Sequence, residues 1–557
     1  MLPVRPATQT IFRNAVRPST IPILRLRRNL YSAARPLKNQ KGRTLAVVLG
    51  FSGAILAYQT ITAPELHAET QVDRLPPTLY SQHIQVLDSW KHPGVYTWGN
   101  NKGRVVAPDS NEDCIRAPRR IPFFNNILLR DLKLEKDLGL AVDEKGNVYE
   151  WGIGYGKGIK EPEVVLAGKD IQRIEASADR IFALSKDGTL YSLPLIKADQ
   201  REGPKPDEPS WIPFTKIKAP VSYKTLKVPL EYFDKISDIS AGRDHLLILT
   251  SAGQVYAAAA SHNYPDKGQL GVPGLTWATR PKDRPYDSPF RVITVGNKIS
   301  QIATGDYHSL LLDSKGGVWT FGDNSYGQLG FDYLPDQPIK DSPTELLLRG
   351  FYPGPIAVTC YQIAAGGMNS FYMVDATQLH DEKVTADVWA SGQGLWGELG
   401  NGKWTHAQGK PTKIKALSGL VEYDDATNKI KPIRVAYIAA GAHHFAAVMD
   451  TKTNTITTDH HEAFSGRDVL WWGNSEFFQL GNGRRNNINV PLYIPRLDAQ
   501  TERPRAEAAV TEEQQIVPTD RLQVTPKQKT TLGDGRKAEV EQKVVAGRGT
   551  SGVYTKV

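Results

Sequence analysis

The sequence predicts an all-β fold: a seven-bladed β-propeller closed by N- and C-terminal strands and preceded by a single transmembrane helix. Three observations predict it. A block made of an apolar run, a glycine turn and an aromatic-containing strand recurs along the chain. The first and last copies of that block are complementary halves. An uncharged run of twenty residues, Thr44 to Ala63, precedes them all.

The repeat is plainest in "SAGRDHLLILTSAGQVYAAA" from Ser240 and "ATGDYHSLLLDSKGGVWTFG" from Ala303. Each has a small-Gly turn, a polar residue three positions after the glycine, an apolar run, a second glycine turn, then valine and an aromatic. An apolar run, a tight turn and a β-prone second run make a hairpin. The aromatic-containing strands begin near Tyr96, Tyr149, Tyr191, Tyr256, Trp319, Trp389 and Leu470, at spacings of 42 to 81 residues. That gives seven copies, each with room for about four short strands.

The array opens on a lone second strand, "PGVYTWGNN" (Pro93 to Asn101), and finishes on a lone first strand, "AGRGTSGVYTKV" (Ala546 to Val557). One blade assembled from both halves closes a ring and leaves no free sheet edge. A linear solenoid, the alternative, predicts polar caps instead of complementary halves.

The N-terminal segment reads as an address and an anchor. Residues 1–64 hold ten basic groups and no acid, the first being Glu65. Arginine-rich, acid-free composition with interspersed Ile11, Phe12, Ile23 and Leu24 is that of a mitochondrial transit peptide. The uncharged run spans roughly 30 Å as a helix, the thickness of a hydrocarbon core. Arg35, Lys38, Lys41 and Arg43 precede it, while Glu65, Glu69 and Asp73 follow it. The positive-inside rule then keeps the N-terminal flank in the matrix and the remainder in the intermembrane space. The domains therefore read as residues 1–31 presequence, 32–43 basic matrix-side flank, 44–63 transmembrane helix, 64–90 linker and 91–557 propeller.

Charge narrows the function classes. The net charge is +9, and the ten uncompensated basic groups of residues 1–64 leave the rest of the chain at −1. A nucleic-acid binder keeps a basic surface on its folded part, so nucleic acid is an unlikely partner here. The two cysteines, Cys114 and Cys360, form no CxxC pair and read as buried free thiols. A zinc site of the usual spacing is excluded.

The small-Gly-x-x-His turn, its hairpin, "W-x-x-G" and "G-Q-L-G" resemble the repeat family named after the regulator of chromosome condensation. The likeness covers roughly residues 91–557 and is clearest at 241–256, 303–330, 389–402 and 472–483. With the presequence and anchor, the whole resembles a fungal mitochondrial inner-membrane branch of that family. That resemblance implies a role in assembly of the ubiquinol–cytochrome c reductase complex. The family's exchange activity on a small GTPase is also implied, but its catalytic residues cannot be matched here position by position.

Motifs that suggest chemistry dissolve on comparison with their own copies. "FGDNSYGQLG" (Phe321 to Gly330) has the Gly322/Gly327 spacing of a phosphate loop, yet Gln328 and Leu329 stand where Lys and Ser/Thr are needed. Related glycine-rich runs at 267–271, 391–402 and 472–483 mark it as a turn used in several blades. His245, His308 and His444 each follow a glycine by three residues, with Asn369, Thr550 and Ile181 at equivalent positions. Spread over different blades, they cannot converge on a metal, and a hydrogen bond tying turn to neighbouring strand is the expected role. The sequence thus offers no catalytic, cofactor-binding or metal-ligating residue, and the chain reads as a non-enzyme.

Polar insertions at 195–224, 451–468 and 499–543 would be binding loops on a rigid ring, or filler. The functional expectation is a membrane-anchored interaction platform whose protein partners are inner-membrane respiratory assembly intermediates. Its alternatives are a guanine-nucleotide exchange factor for a mitochondrial GTPase and a matrix ribosome- or RNA-associated scaffold.

Overall fold

The computed structural model describes residues 85–497 and 521–557, apart from 210–214, 294–296, 381–382, 425–427, 452–453, 457–461 and 465. The presequence, the basic flank, the membrane span and most of the 64–90 linker lie outside the described residues. Among the described residues no helix is long and apolar enough to cross a membrane.

The fold is an all-β propeller. Four four-stranded sheets and one five-stranded sheet stand as separate blades, beside a nine-stranded sheet that holds the first and last strands of the chain. Seven separate sheets were expected. The count differs because a single parallel pair, Leu129↔Lys556, fuses the sheet beginning at Leu129–Leu134 to the one containing Thr550–Lys556.

Each blade is an antiparallel meander, and burial explains its sequence pattern. The second strands His245–Thr250, His308–Asp313 and His444–Met449 are buried at every residue. They lie mid-sheet with a neighbouring sheet on both faces, which is why they read as continuous apolar runs and not as alternation. The core therefore sits between blades: Phe371, Phe445 and Trp472 pack edge to face across one such boundary, with Leu399 and Ile414 filling the layer.

The leading strands carry a device the sequence did not reveal. The pairing slips by one residue near the start of each strand, leaving Arg130, Gln172, Ser237, Ser300 and Ala436 unpaired just before Asp131, Arg173, Asp238, Gln301 and Tyr437. A bulge bends the strand and re-aims the side chains beside it. Asp131 accepts the backbone N–H of Ile174 at 3.0 Å, and Gln301 brackets Ile363 through its N–H and carbonyl, both at 3.0 Å. Tyr437 Oη accepts from Val544 N at 2.9 Å. Adjacent leading strands are thus joined by side chain to backbone where no ladder exists.

The terminal halves meet as register-matched strands: Val95–Asn100 pairs antiparallel with Thr550–Lys556, from Val95↔Tyr554 to Gly99↔Thr550. Two details correct the expectation. The C-terminal end supplies two strands, Lys537–Ala546 and Thr550–Lys556, and the N-terminal end also supplies two, Val95–Asn100 and Cys114–Arg120. The 499–543 insertion is also not all loop. From residue 521 onward it buries Leu522, Val524, Leu532 and Val540 and builds strands. Its Lys, Gln and Thr content masked an amphipathic pattern. Within the 195–224 insertion lie a six-residue helix, Lys197–Glu202, a hairpin pairing Asp207–Pro209 with Lys216–Lys218, and the start of an edge strand, Lys224–Thr225. Residues 85–91, at the end of the expected linker, are helical and set Trp90 against Leu128, Leu532 and Val540.

Candidate interaction surfaces

The propeller has two ends of different construction. At one, here the glycine end, lie the Gly-x-x-His turns and the glycine-rich loops. Backbone bonds hold them together: Ala260 N donates to Asp244 O, Asp323 N to Tyr307 O and Asn474 N to His443 O. At the other, the chain-start end, the connections between blades meet the hairpin turns of the preceding blade, as in Ile171 N to Gly146 O, Ile299 N to Gly253 O and Cys360 N to Gly316 O.

The histidines occupy the blade boundaries of the glycine end. Each turn closes with a bond from the glycine N–H to the histidine carbonyl, 2.9 Å for Gly305 and His308. The imidazole folds back over its own glycine, so a Cβ at Gly305 would stand 2.1 Å from the His308 ring. His308 Nε2 then meets Ser370 Oγ on the next sheet at 2.9 Å, and Ser370 donates to Gln328 O at 2.7 Å. The serine has one proton and gives it to that carbonyl, so the imidazole must be the Nε2–H tautomer that donates to Oγ. The same relay recurs as His245–Ser309–Gln269 and His444–Ser551–Gln479. All three imidazoles are neutral, because burial pushes His245 down to about 3, His308 to about 4 and His444 to about 3. Where the sequence has Asn369, its amide donates to Gln393 O. Thr550 donates to Leu134 O, and Ile181 is simply core.

The phosphate-loop candidate turns its donors inward. Leu329 N donates to Asn324 Oδ1 at 3.0 Å, Tyr326 N to Gln328 Oε1 at 2.9 Å, and Gly327 N to Asn324 O at 3.0 Å. Gln328 is fully buried in doing so. A phosphate would have to compete with every one of these bonds. Gly327 has φ +79° and lies so close to Gly409 that a Cβ would be 2.4 Å away, which is why the position needs glycine.

One wall of the central channel is charged. Lys133 meets Glu175 at 2.8 Å, Arg173 meets Asp238 at 2.5 Å, and Arg548 bridges Asp306 and Glu135 at the glycine end. Tyr361 and Tyr437 belong to other strands of the same inner layer. Among the described residues no group of His, Cys, Asp and Glu is arranged to hold a metal. Cys360 is buried in the core, where burial pushes its thiol up to about 12, whereas Cys114 is only half-buried, contrary to expectation. A cleft of about 480 Å³ bordered by Arg104, Phe123, Ile153 and Lys160 brings together residues of no single motif.

These features define the class of protein: a propeller of repeated four-stranded units tied by histidine–serine relays. Residues 299–328 and 315–373 match models of the regulator of chromosome condensation (RCC1) repeat. Among similar proteins are the yeast protein FMP25, mitochondrial (Saccharomyces cerevisiae), 24% identical over 73% of this chain, and the Arabidopsis thaliana RCC1 domain-containing protein RUG3, mitochondrial, 26% identical over 63%. The matches span 66% and 71% of those two proteins, so about a third of each lies beyond the likeness. In fold, the chain resembles Prp20p of Saccharomyces cerevisiae, described with its binding to Gsp1p and histones. The TM-score is 0.53 at 18% identity, covering 84% of this chain and 92% of that one. Human WBSCR16 is similar at TM-score 0.52 and 17% identity, covering 83% and 99%.

Proposed function

We propose that this protein is a mitochondrial, membrane-anchored, non-catalytic interaction platform that serves assembly of a respiratory-chain complex, ubiquinol–cytochrome c reductase being the favoured one. The observation that carries the proposal is the coincidence of two things. The chain's first 64 residues are acid-free with ten basic groups, and the FMP25 and RUG3 relatives are both mitochondrial by name. In this reading residues 44–63 make a single pass through the inner membrane and hold the propeller in the intermembrane space. Its partners are membrane-embedded assembly intermediates, and it needs no cofactor.

The architecture we infer has seven blades. Support comes from the nine-stranded sheet, which is joined across its middle by one residue pair and so divides into two four-stranded units plus the short Gln528–Thr531 strand. The leading strands also neighbour one another in a closed order, from Leu129–Leu134 round to Lys537–Ala546 and back. A closed, rigid ring with loops at both ends suits a scaffold.

Affinity capture from detergent-solubilised mitochondria tests the function. Enrichment of reductase subunits or their assembly intermediates is the expected result. Enrichment of a GTPase, or of ribosomal proteins, would replace this reading with the exchange-factor or the RNA-scaffold alternative.

A further inference from the structure

Both ends of the propeller expose apolar side chains, Trp277 and Trp404 at the glycine end among them, but the most exposed ones lie at the chain-start end. Tyr232 and Phe233, between two blades, are 88% and 93% exposed and meet edge to face at 4.3 Å. Phe233 has φ +68°, a left-handed conformation that costs a non-glycine residue roughly 1 kcal/mol. The loop is built to hold it. Asp234 Oδ1 accepts from Lys235 N at 2.9 Å, Ser251 Oγ at 2.7 Å and Ala252 N at 3.0 Å, pinning the aromatic pair to the next hairpin turn.

The same end carries exposed apolar residues in the next interblade connections. Ile293 is 76% exposed, and Leu347 follows one blade later. Beyond it the hairpin of Val421–Asp424 with Lys429–Pro432 turns Tyr423 and Ile430 outward. Exposed lysines stand among them, Lys227 and Lys235 flanking the aromatic pair and Lys298 following Ile293. Glu231 also lies there, held by Gln254 and Arg291.

The first described residues lie at this end. The helix over 85–91 is fixed by Gln85, which donates to Arg521 O at 3.0 Å, and by Ser89, 2.6 Å from Thr525. Trp90 packs on Leu128, whose carbonyl accepts from Glu144 N in a hairpin turn of the same end. The 21 residues between Ala63 and Gln85 reach at most about 70 Å when extended.

We propose that this end is a lipid-facing surface, in which Tyr232 and Phe233 insert at the membrane interface and the neighbouring lysines meet anionic headgroups. It rests on the anchored reading above and deepens it. Aromatic rings settle at the headgroup level, and lysines near an anionic surface add attraction. Scattered over several blades, these protrusions fit a flat bilayer better than one narrow peptide groove. The tether supplies a high local concentration, so weak individual contacts suffice to orient the ring.

The test uses the full chain reconstituted into vesicles of phosphatidylcholine and cardiolipin. An environment-sensitive fluorophore is placed at Phe233→Cys, and in a second protein at Leu334→Cys, exposed on a loop of the glycine end. Labelled wild type corrects for Cys114 and Cys360. Brominated lipid chains should quench the 233 probe by about twofold and leave the 334 probe unchanged, as for a group seated at the acyl boundary. An unquenched 233 probe, in protein that alkaline carbonate fails to extract, overturns the proposal while the anchor stands. Quenching at 233 in protein that carbonate does extract removes the anchor and keeps the surface. A 233 probe shielded equally in detergent points to a second copy or a protein partner and also overturns it.

Discussion

His308 Nε2 lies 2.9 Å from Ser370 Oγ, although 62 residues and a sheet boundary separate them. The contact repeats at 64 and 107 residues for His245–Ser309 and His444–Ser551. It ties each turn to the following blade, so it acts on how blades stay together and not on chemistry. Ser370→Ala should therefore destabilise the propeller by about 1–3 kcal/mol, since it strands the imidazole N–H in the core and leaves the Gln328 carbonyl only the longer bond from Ser391 Oγ at 3.4 Å. Chemical denaturation of wild type, S370A, His308→Asn and the double variant measures the coupling. Additive effects would mean that the two groups do not act as a pair.

The buried imidazoles make stability depend on pH in a fixed direction. An unfolded histidine titrates near 6.5, whereas His308 is held down to about 4, by burial first, with Asp306 and Asp323 opposing. Above about pH 6.5 both states are neutral there and nothing is lost. As pH falls towards 4, the unfolded chain binds a proton that the folded chain refuses. About 2 kcal/mol per histidine should be gone at pH 5. The advantage of wild type over H308N, measured by denaturation at pH 7.5, should shrink by that amount at pH 5. A constant gap would show that His308 is not held neutral.

Glu150 is fully buried, with Gln200 Nε2 donating to it at 2.7 Å, and burial raises its carboxyl well above the usual range. Such a group stabilises the folded state at low pH and loses that contribution as pH rises above the unfolded value. Glu150→Gln keeps an acceptor for Gln200 and removes the titration. Its thermal midpoint should exceed wild type at pH 7.5 and converge with it near pH 5. A lower midpoint at pH 7.5 would show that the carboxylate is stabilised there.

Trp98 lies opposite Ser551 in the strand pair that closes the ring and ties that pair to the preceding blade. Its indole donates to Gln479 O at 2.9 Å and meets Trp471 edge to face at 5.2 Å. Trp98→Ala should cost about 3–5 kcal/mol. The loss should be localised, with hydrogen exchange rising first in Val95–Asn100 and Thr550–Lys556, the two strands that close the ring. Uniform protection across both strands would argue that closure does not depend on this contact.

Much of this architecture was legible because it repeats. Gly305 and His308 sit three residues apart in every clear copy, and the buried second strands announce themselves as apolar runs. Ser370 was not legible as their partner, because it belongs to the next repeat and is an ordinary serine there. The bulges at Arg130 and Ser300 escaped notice, since one unpaired residue leaves no compositional mark. The segment from 521 to 543 read as part of a polar insertion because only a few apolar residues, Leu522, Val524, Leu532 and Val540 among them, face inward. Nothing in the sequence singled out Phe233, and only the fold places it in solvent.

The most direct measurement of the central claim is the level of assembled ubiquinol–cytochrome c reductase in mitochondria lacking this protein. Native gels against the other respiratory complexes give the comparison. A selective fall in the reductase, with its early intermediates accumulating, is the predicted result. Normal reductase in the absence of the protein would contradict the account.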